Sequence, residues 1–238
     1  MISVPTLSSN LIVIPARMAS KRFPGKPLAL VDGIPMILRT FRAAKQASSK
    51  VMVTTCDKEI AGFCAEHDIP WLPSDDDHRN GTERAAALVL RAADMDPEDP
   101  VIVWQVDEPF VNPEDVRCLF GVLEEYCIEP GKPDIATLIA PLPEDFDDGN
   151  TVKVALSKGV CHWFSRQEIS LKHAHVGVYG FKSKTTLLKA ASCTATDLSM
   201  YESLEQLTWI ENGMSIAGLE VIKYPRSINT PEDLKCSK

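Results

Sequence analysis

The chain has 238 residues, with 25 Lys+Arg against 33 Asp+Glu and a formal net charge of −8. That length suits one domain with a sizeable core, and 45% hydrophobic with 24% charged residues excludes disorder. The acidic balance excludes a nucleic-acid-coating protein, although a local basic pocket for a small anion stays open. No apolar run approaches the ~20 residues of a membrane span. The opening MISVPTLSSNLIVIPARM lacks the basic start and cleavage site of a secretory signal. The seven Cys (56, 64, 118, 127, 161, 193, 236) show no CxxC spacing, so neither a disulfide framework nor a zinc site is expected. A cytoplasmic protein with reduced thiols is the expectation, with no nucleic-acid or membrane partner.

Leu11–Pro15 is a short branched apolar run of the kind buried on both faces of a parallel sheet. ARMASKRFPGKP (16–27) follows as a loop. Apolar Met36, Ile37, Phe41 and Ala44 have helical spacing within 35–47. Lys50–Thr55 reads as a strand, and Asp57 as the N-cap of a helix to about His67. A short strand at Ile69–Leu72 precedes the polar SDDDHRNG, and TERAAALVLRAAD reads as a helix that Thr82 could cap. Val101–Trp104 is a buried strand, with a helix over Asn112–Cys127. After Pro133, runs at 135–140, 151–156, 160–164 and 175–181 suggest antiparallel strands. Helices near 183–191 and 201–211 and a strand at 215–222 complete the pattern.

Alternating strands and helices over the first ~130 residues imply an α/β fold with a doubly wound, mostly parallel sheet. Ligands of such sheets lie beyond the carboxyl ends of the strands. Segments 16–27 and 105–109 should therefore line one pocket. The first carries Arg17, Lys21, Arg22 and Lys26 with Ser20 and Gly25, a composition suited to polyphosphate. It is neither a Walker A loop nor G-x-G-x-x-G, and a solvated basic loop is the bland alternative. In the second, QVDEP, Asp107 facing such a loop could hold Mg²⁺, or could merely end a turn. His78–Arg84 leads into a helix start, where Gly81 would let a ligand approach. His175-x-Gly177-x-Tyr179 lies on a strand, and Glu202, Glu205 and Gln206 share a helix face. A structural histidine and a solvated face are the default readings of these two.

PARMASKRFPGKPL (15–28), NGTER (80–84), QVDEP (105–109), NTVKV (150–154), WFSR (163–166), HVGVYGF (175–181), LEQL (204–207) and NTPEDL (229–234) together resemble one family, the 3-deoxy-D-manno-octulosonate (KDO) cytidylyltransferases, or CMP-KDO synthetases. The resemblance runs from Ile12 to Leu234. It implies a Rossmann-like nucleotidyltransferase, single-domain over 1–238. An α/β core would span 11–130, a smaller antiparallel sugar-binding and dimer region about 131–200, and a return to the core 201–238. It implies a homodimer that joins CTP to an acidic 2-keto-3-deoxy sugar with Mg²⁺, releasing CMP-sugar and pyrophosphate for lipopolysaccharide-type glycans. By the same resemblance Ala16, Arg17, Ser20, Arg22, Lys26, Asn80, Gly81, Thr82 and Arg84 hold the nucleotide, and Gln105, Arg166, His175, Tyr179, Glu205 and Gln206 surround the sugar. Arg17, Lys26 and Asp107 would be catalytic, with Asp107 and Asn229 at the metal.

The chain departs from that family at four places. Asn229 stands where the family has a metal-binding Asp, and Val106 where it has Gly. The segment between Arg166 and His175 is shorter, and Thr208 replaces an Arg after LEQL. An amide oxygen can coordinate Mg²⁺ but adds no charge, so weaker metal binding is expected. The same residues are open to two alternatives: a nucleotidyltransferase for another sugar or nucleotide, and a homologue that keeps the nucleotide pocket without turnover.

Overall fold

A computed structural model of the chain describes residues 10–20, 22–92, 95–142, 149–167 and 170–236. Strand β1 (Leu11–Pro15) leads through the basic loop and a 3-10 turn at Lys26–Leu28 into the hairpin β2 (Leu30–Val31) and β3 (Ile34–Pro35). Helix α1 (Met36–Ala47), β4 (Val51–Thr55), α2 (Lys58–Glu66) and β5 (Trp71–Pro73) follow. Next come α3 (Gly81–Arg91), β6 (Val101–Trp104), α4 (Pro113–Ile128) and β7 (Ile135–Pro141). The remainder is β8 (Lys153–Ser157), β9 (Val160–Ser165), β10 (His173–Phe181), α5 (Lys184–Ser192), α6 (Asp197–Glu202), α7 (Glu205–Glu211) and β11 (Ile216–Glu220), with a last 3-10 turn at Pro231–Cys236.

Among the described residues nine strands share one sheet in the order β5-β4-β1-β6-β10-β7-β11-β9-β8. The β5-β4-β1-β6 half is parallel, with Leu11 opposite Val101 and Val13 opposite Val103. β10 joins it antiparallel to β6, and β11 runs parallel to β7. The start of β10 also pairs with β8, so β10, β7, β11, β9 and β8 form a closed ring of pairings. A register shift between Val176 and Tyr179 bends β10 there. Alternation in β1 sorts the core. Leu11 and Val13 pack with Leu88 and Val89 of α3, Leu187 of α5 and Trp209 of α7. Ile12 and Ile14 pack with Ile37 of α1, Ile60 of α2 and Leu119 of α4. Helices therefore cover both faces, as the doubly wound expectation required.

Several local readings change. Asp57 stands at the N-cap of α2, yet its carboxylate accepts the Met18 N–H at 2.8 Å instead of capping the helix. Asn80, and not Thr82, caps α3, accepting the Glu83 N–H at 2.9 Å. Thr82 falls within the first turn. The expected helix at 201–211 is two helices, because Ser203 adopts φ 55° between α6 and α7. Pro35 belongs to the β2–β3 hairpin, whose turn at Asp32 and Gly33 has positive φ at both residues.

One buried bond ties helix packing to the ligand loop. Thr40 of α1 is fully buried and its hydroxyl donates to the Val106 carbonyl at 2.8 Å. Thr40→Val should leave that carbonyl unpaired and cost about 1–3 kcal/mol in urea unfolding. A loss below about 0.5 kcal/mol would show that the bond does not anchor the loop.

Candidate active site at the strand ends

The parallel pairing of β1 with β6 sets the basic loop beside Gln105–Pro109. The loop curls on itself: Ser20 N–H and Gly25 N–H both donate to Met18 O, at 2.8 and 2.9 Å. Gly25 has φ 75°, which suits glycine. The curl delivers Lys26 inward, only 8% exposed, with Nζ 2.5 Å from Asp107 Oδ2. Arg22 reaches across the cleft and donates to Asn150 Oδ1 at 2.7 Å and Asn229 Oδ1 at 3.2 Å. Buried Arg84 is held by Ser74 Oγ at 2.7 Å and Asp75 O at 2.9 Å. A Cβ on Gly81 would lie 2.8 Å from Gln105 Nε2 and 3.0 Å from Pro15 Cγ, so a larger residue here would displace the Gln105 amide and press on Pro15. The resulting cleft, about 680 Å³, is lined by Ala16, Arg17, Ser20, Arg22, Lys26, Asn80, Gly81, Arg84, Gln105, Asp107 and Arg166. Its cations answer the requirements of a polyphosphate.

A second hollow of about 360 Å³ shares Arg17, Arg22, Gln105, Asp107 and Arg166 with the cleft and adds His175, Tyr179, Glu205, Gln206 and Asn229. Thr137 donates its one hydroxyl proton to Val178 O at 2.8 Å, so it accepts from His175 Nε2, 2.9 Å away. His175 Nδ1 is then the acceptor facing Gln206 Nε2, at 3.4 Å. Burial, with the Arg166 charge adding, lowers His175 to about 3, and the ring is neutral. Gln206 Nε2 also donates to Tyr179 Oη at 2.5 Å, and burial holds that phenol far above its ordinary range. Arg166 is anchored through both its backbone and its guanidinium. Its N–H donates to Glu202 Oε2 at 3.3 Å, its Nη1 to Asn150 O at 2.5 Å, and Ser165 Oγ to Glu202 Oε1 at 3.0 Å. Burial first and the Arg22 charge second lower its pKa.

Glu108 sits behind Asp107. Burial, then the Asp107 charge, pushes it up to about 8 against the pull of Ser227 and Gly177. Asp107 and Asn229 are brought together by the Ile228 N–H bond to Asp107 O, 2.9 Å. They offer one carboxylate and one amide oxygen. Among the described residues no cluster of three His, Cys, Asp or Glu suits a metal. The donor set fits a hard cation that completes its shell from phosphate and water, as Mg²⁺ does.

The residues that the sequence points to line one of these spaces, with three exceptions. Gly25 shapes the loop without lining either space. Thr82 is buried in α3, where its hydroxyl and N–H favour the ionised form of Glu205. Lys21 lies outside the described residues. Sequence reading missed Arg79, Asn150, Glu108, Glu202 and Ser227 as site residues. Four of them fall inside or beside motifs already picked out, but only the fold shows that they face the ligand spaces.

Burial raises Glu205 from 4.5 to about 7, with Glu83 adding to the rise. Between those values the folded chain keeps a proton that the unfolded chain has released, so this stabilisation is complete below pH 4.5 and lost as pH rises through 7. The stability of the wild type relative to Glu205→Gln should therefore fall from about pH 4.5 to 7 in thermal melts. A flat difference would contradict the burial.

The cytidylyltransferase family pattern matches residues 11–216. A 3-deoxy-manno-octulosonate cytidylyltransferase of Chlorobium limicola is 36% identical over 244 residues, covering 94% of each chain. Its counterpart from Dichelobacter nodosus is 34% identical over 235 residues, covering 94% of this chain and 93% of its own. A solved CMP:2-keto-3-deoxy-manno-octonic acid synthetase complexed with CTP superposes with a TM-score of 0.82 at 29% identity, over 96% of both chains. The inositol-1-phosphate CTP transferase of T. maritima shares the fold, at a TM-score of 0.65 and 12% identity. With the pattern matched from β1 to the start of β11 and these relatives aligned almost end to end, the chain belongs to the cytidylyltransferase family.

Proposed function

We propose that the protein transfers the cytidylyl group of CTP to an acidic 3-deoxy-2-keto sugar, KDO or a close relative, giving CMP-sugar and pyrophosphate. The observation that carries this reading is the continuity of the two spaces. A cation-lined cleft for a triphosphate opens into a hollow for a polar acid, and Arg17, Arg22, Gln105, Asp107 and Arg166 form their shared wall. The relatives named for the octulosonate enzyme support the acceptor, and the CTP complex supports the nucleotide. A homodimer in the cytoplasm, serving lipopolysaccharide-type glycans, belongs to the same proposal and rests on family likeness.

In this reading Arg17, Arg22 and Lys26 bind the triphosphate, with Asn80, Gly81 and Arg84 beside the nucleoside. Arg166, oriented by Glu202 and Asn150, receives the sugar carboxylate through its guanidinium fork. Gln105, Tyr179, Glu205 and Gln206 take the hydroxyl groups. The anomeric hydroxyl attacks the α-phosphorus as the bond to the pyrophosphate oxygen breaks, its proton leaving to solvent, so positioning and charge stabilisation supply the rate. Mg²⁺ held by Asp107 and Asn229 would offset charge on the phosphate oxygens. His175 is not the base, since one ring nitrogen donates to Thr137 and the other faces Gln206. It holds Gln206 in place.

Pyrophosphate release should require CTP and an acidic 2-keto-3-deoxy sugar, and fall about tenfold or more with UTP, ATP or GTP. No release with any such sugar at millimolar Mg²⁺ would overturn the reading. Asn229→Asp should lower the Mg²⁺ concentration for half-maximal rate, because it restores a charged ligand. An equal or higher requirement would remove position 229 from the metal site. Lys26→Met should raise the KM for CTP several-fold more than the KM for sugar. Equal effects would deny Lys26 its triphosphate role.

A further inference from the structure

Glu108 is charged in sequence and 5% exposed in the fold, and the transfer reaction as described makes no use of it. One oxygen, Oε1, accepts from two distant segments: the Gly177 N–H at 2.9 Å and the Ser227 hydroxyl at 2.6 Å. A Cβ at position 177 would come within 2.9 Å of the same oxygen, so glycine is needed for the carboxyl group to enter. Gly177 lies in the irregular stretch of β10 between His175 and Tyr179. Ser227 lies two residues before Asn229. The next residue, Ile228, donates its N–H to Asp107 O at 2.9 Å. Segment 227–229 is thus cross-linked to 107–108 at two successive residues, once through a side chain and once through backbone. The Glu108 backbone is itself fixed, its carbonyl accepting from buried Trp104 Nε1 at 3.0 Å.

We infer that Glu108 is a positioning residue for the metal corner: its carboxyl clamps the Ser227–Asn229 segment and the Gly177 stretch of β10 onto the Asp107 loop, and so sets the distance between the Asp107 carboxylate and the Asn229 amide oxygen. The inference rests on the proposed nucleotidyl transfer. The clamp matters more here than with two carboxylate ligands. Asn229 brings no charge to draw a cation in, so its oxygen contributes only if it is already in place. Arg22 and Asp233 also hold Asn229, and the Glu108–Ser227 bond, across 119 residues of sequence, adds the side-chain tie of its segment to the Asp107 loop.

The test is Mn²⁺ binding to the protein–CTP complex, followed by electron paramagnetic resonance, with CTP affinity measured separately in chelator. Ser227→Ala removes one half-buried hydroxyl and should weaken Mn²⁺ binding about three- to tenfold, with CTP affinity in chelator held within about twofold. Glu108→Ala should weaken Mn²⁺ at least as much, and Glu108→Gln, which keeps an acceptor oxygen, should recover most of the loss. Wild-type Mn²⁺ affinity in Ser227→Ala would overturn the inference, whether or not Glu108→Ala folds. So would a folded Glu108→Gln as weak as Glu108→Ala. A wild-type chain that binds no CTP would instead contradict the proposed function, and this inference with it.

Discussion

β1 and β6 lie side by side, parallel and in register, and the site depends on where they stop. Because Leu11 pairs with Val101 and Val13 with Val103, the residues that follow each strand emerge at one level. One exit carries Arg17, Arg22 and Lys26, and the other carries Asp107. Opposite charges meet there in a recess, where Lys26 and Asp107 pair with side chains 10% and 24% exposed. A net charge of −8 thus coexists with a cleft of positive character. The acidic surplus lies elsewhere on the chain, and the cations gather where a small polyanion would bind.

The second half of the chain builds the other wall without a second sheet. β10 attaches antiparallel to β6 and then bends, and its His175, Gly177 and Tyr179 line the acceptor hollow. Asn150 touches both sides, accepting from Arg22 through its side chain and from Arg166 through its carbonyl. The site is therefore a set of cross-links between segments far apart in sequence. The proposed transfer needs no covalent nucleophile. Cys64 and Cys161 are buried thiols pushed up to about 12, and the histidine at the acceptor wall is neutral.

Strands buried on both faces announce themselves as unbroken branched runs, and for that reason β1, β4 and β6 could be read from Leu11–Pro15, Lys50–Thr55 and Val101–Trp104. The rule that ligands gather at strand ends then joined two loops 80 residues apart. What stayed hidden was pairwise and long-range. Nothing local says that Arg22 will meet Asn229, or that Asp57 will spend its carboxylate on Met18 N–H rather than on α2. Thr82 misled because threonine is a good cap, yet Asn80 two residues earlier is a better one and left Thr82 inside the turn. The break at Ser203 escaped because a left-handed serine has no sequence mark of its own.

Two substrates held side by side, with the acceptor hydroxyl displacing pyrophosphate in one step, leave a record in the stereochemistry at phosphorus. With a CTP analogue carrying sulfur on the α-phosphorus in one known configuration, a single in-line displacement predicts a CMP-sugar product of inverted configuration. Retention would require two displacements through an enzyme-bound nucleotide, and would contradict the account.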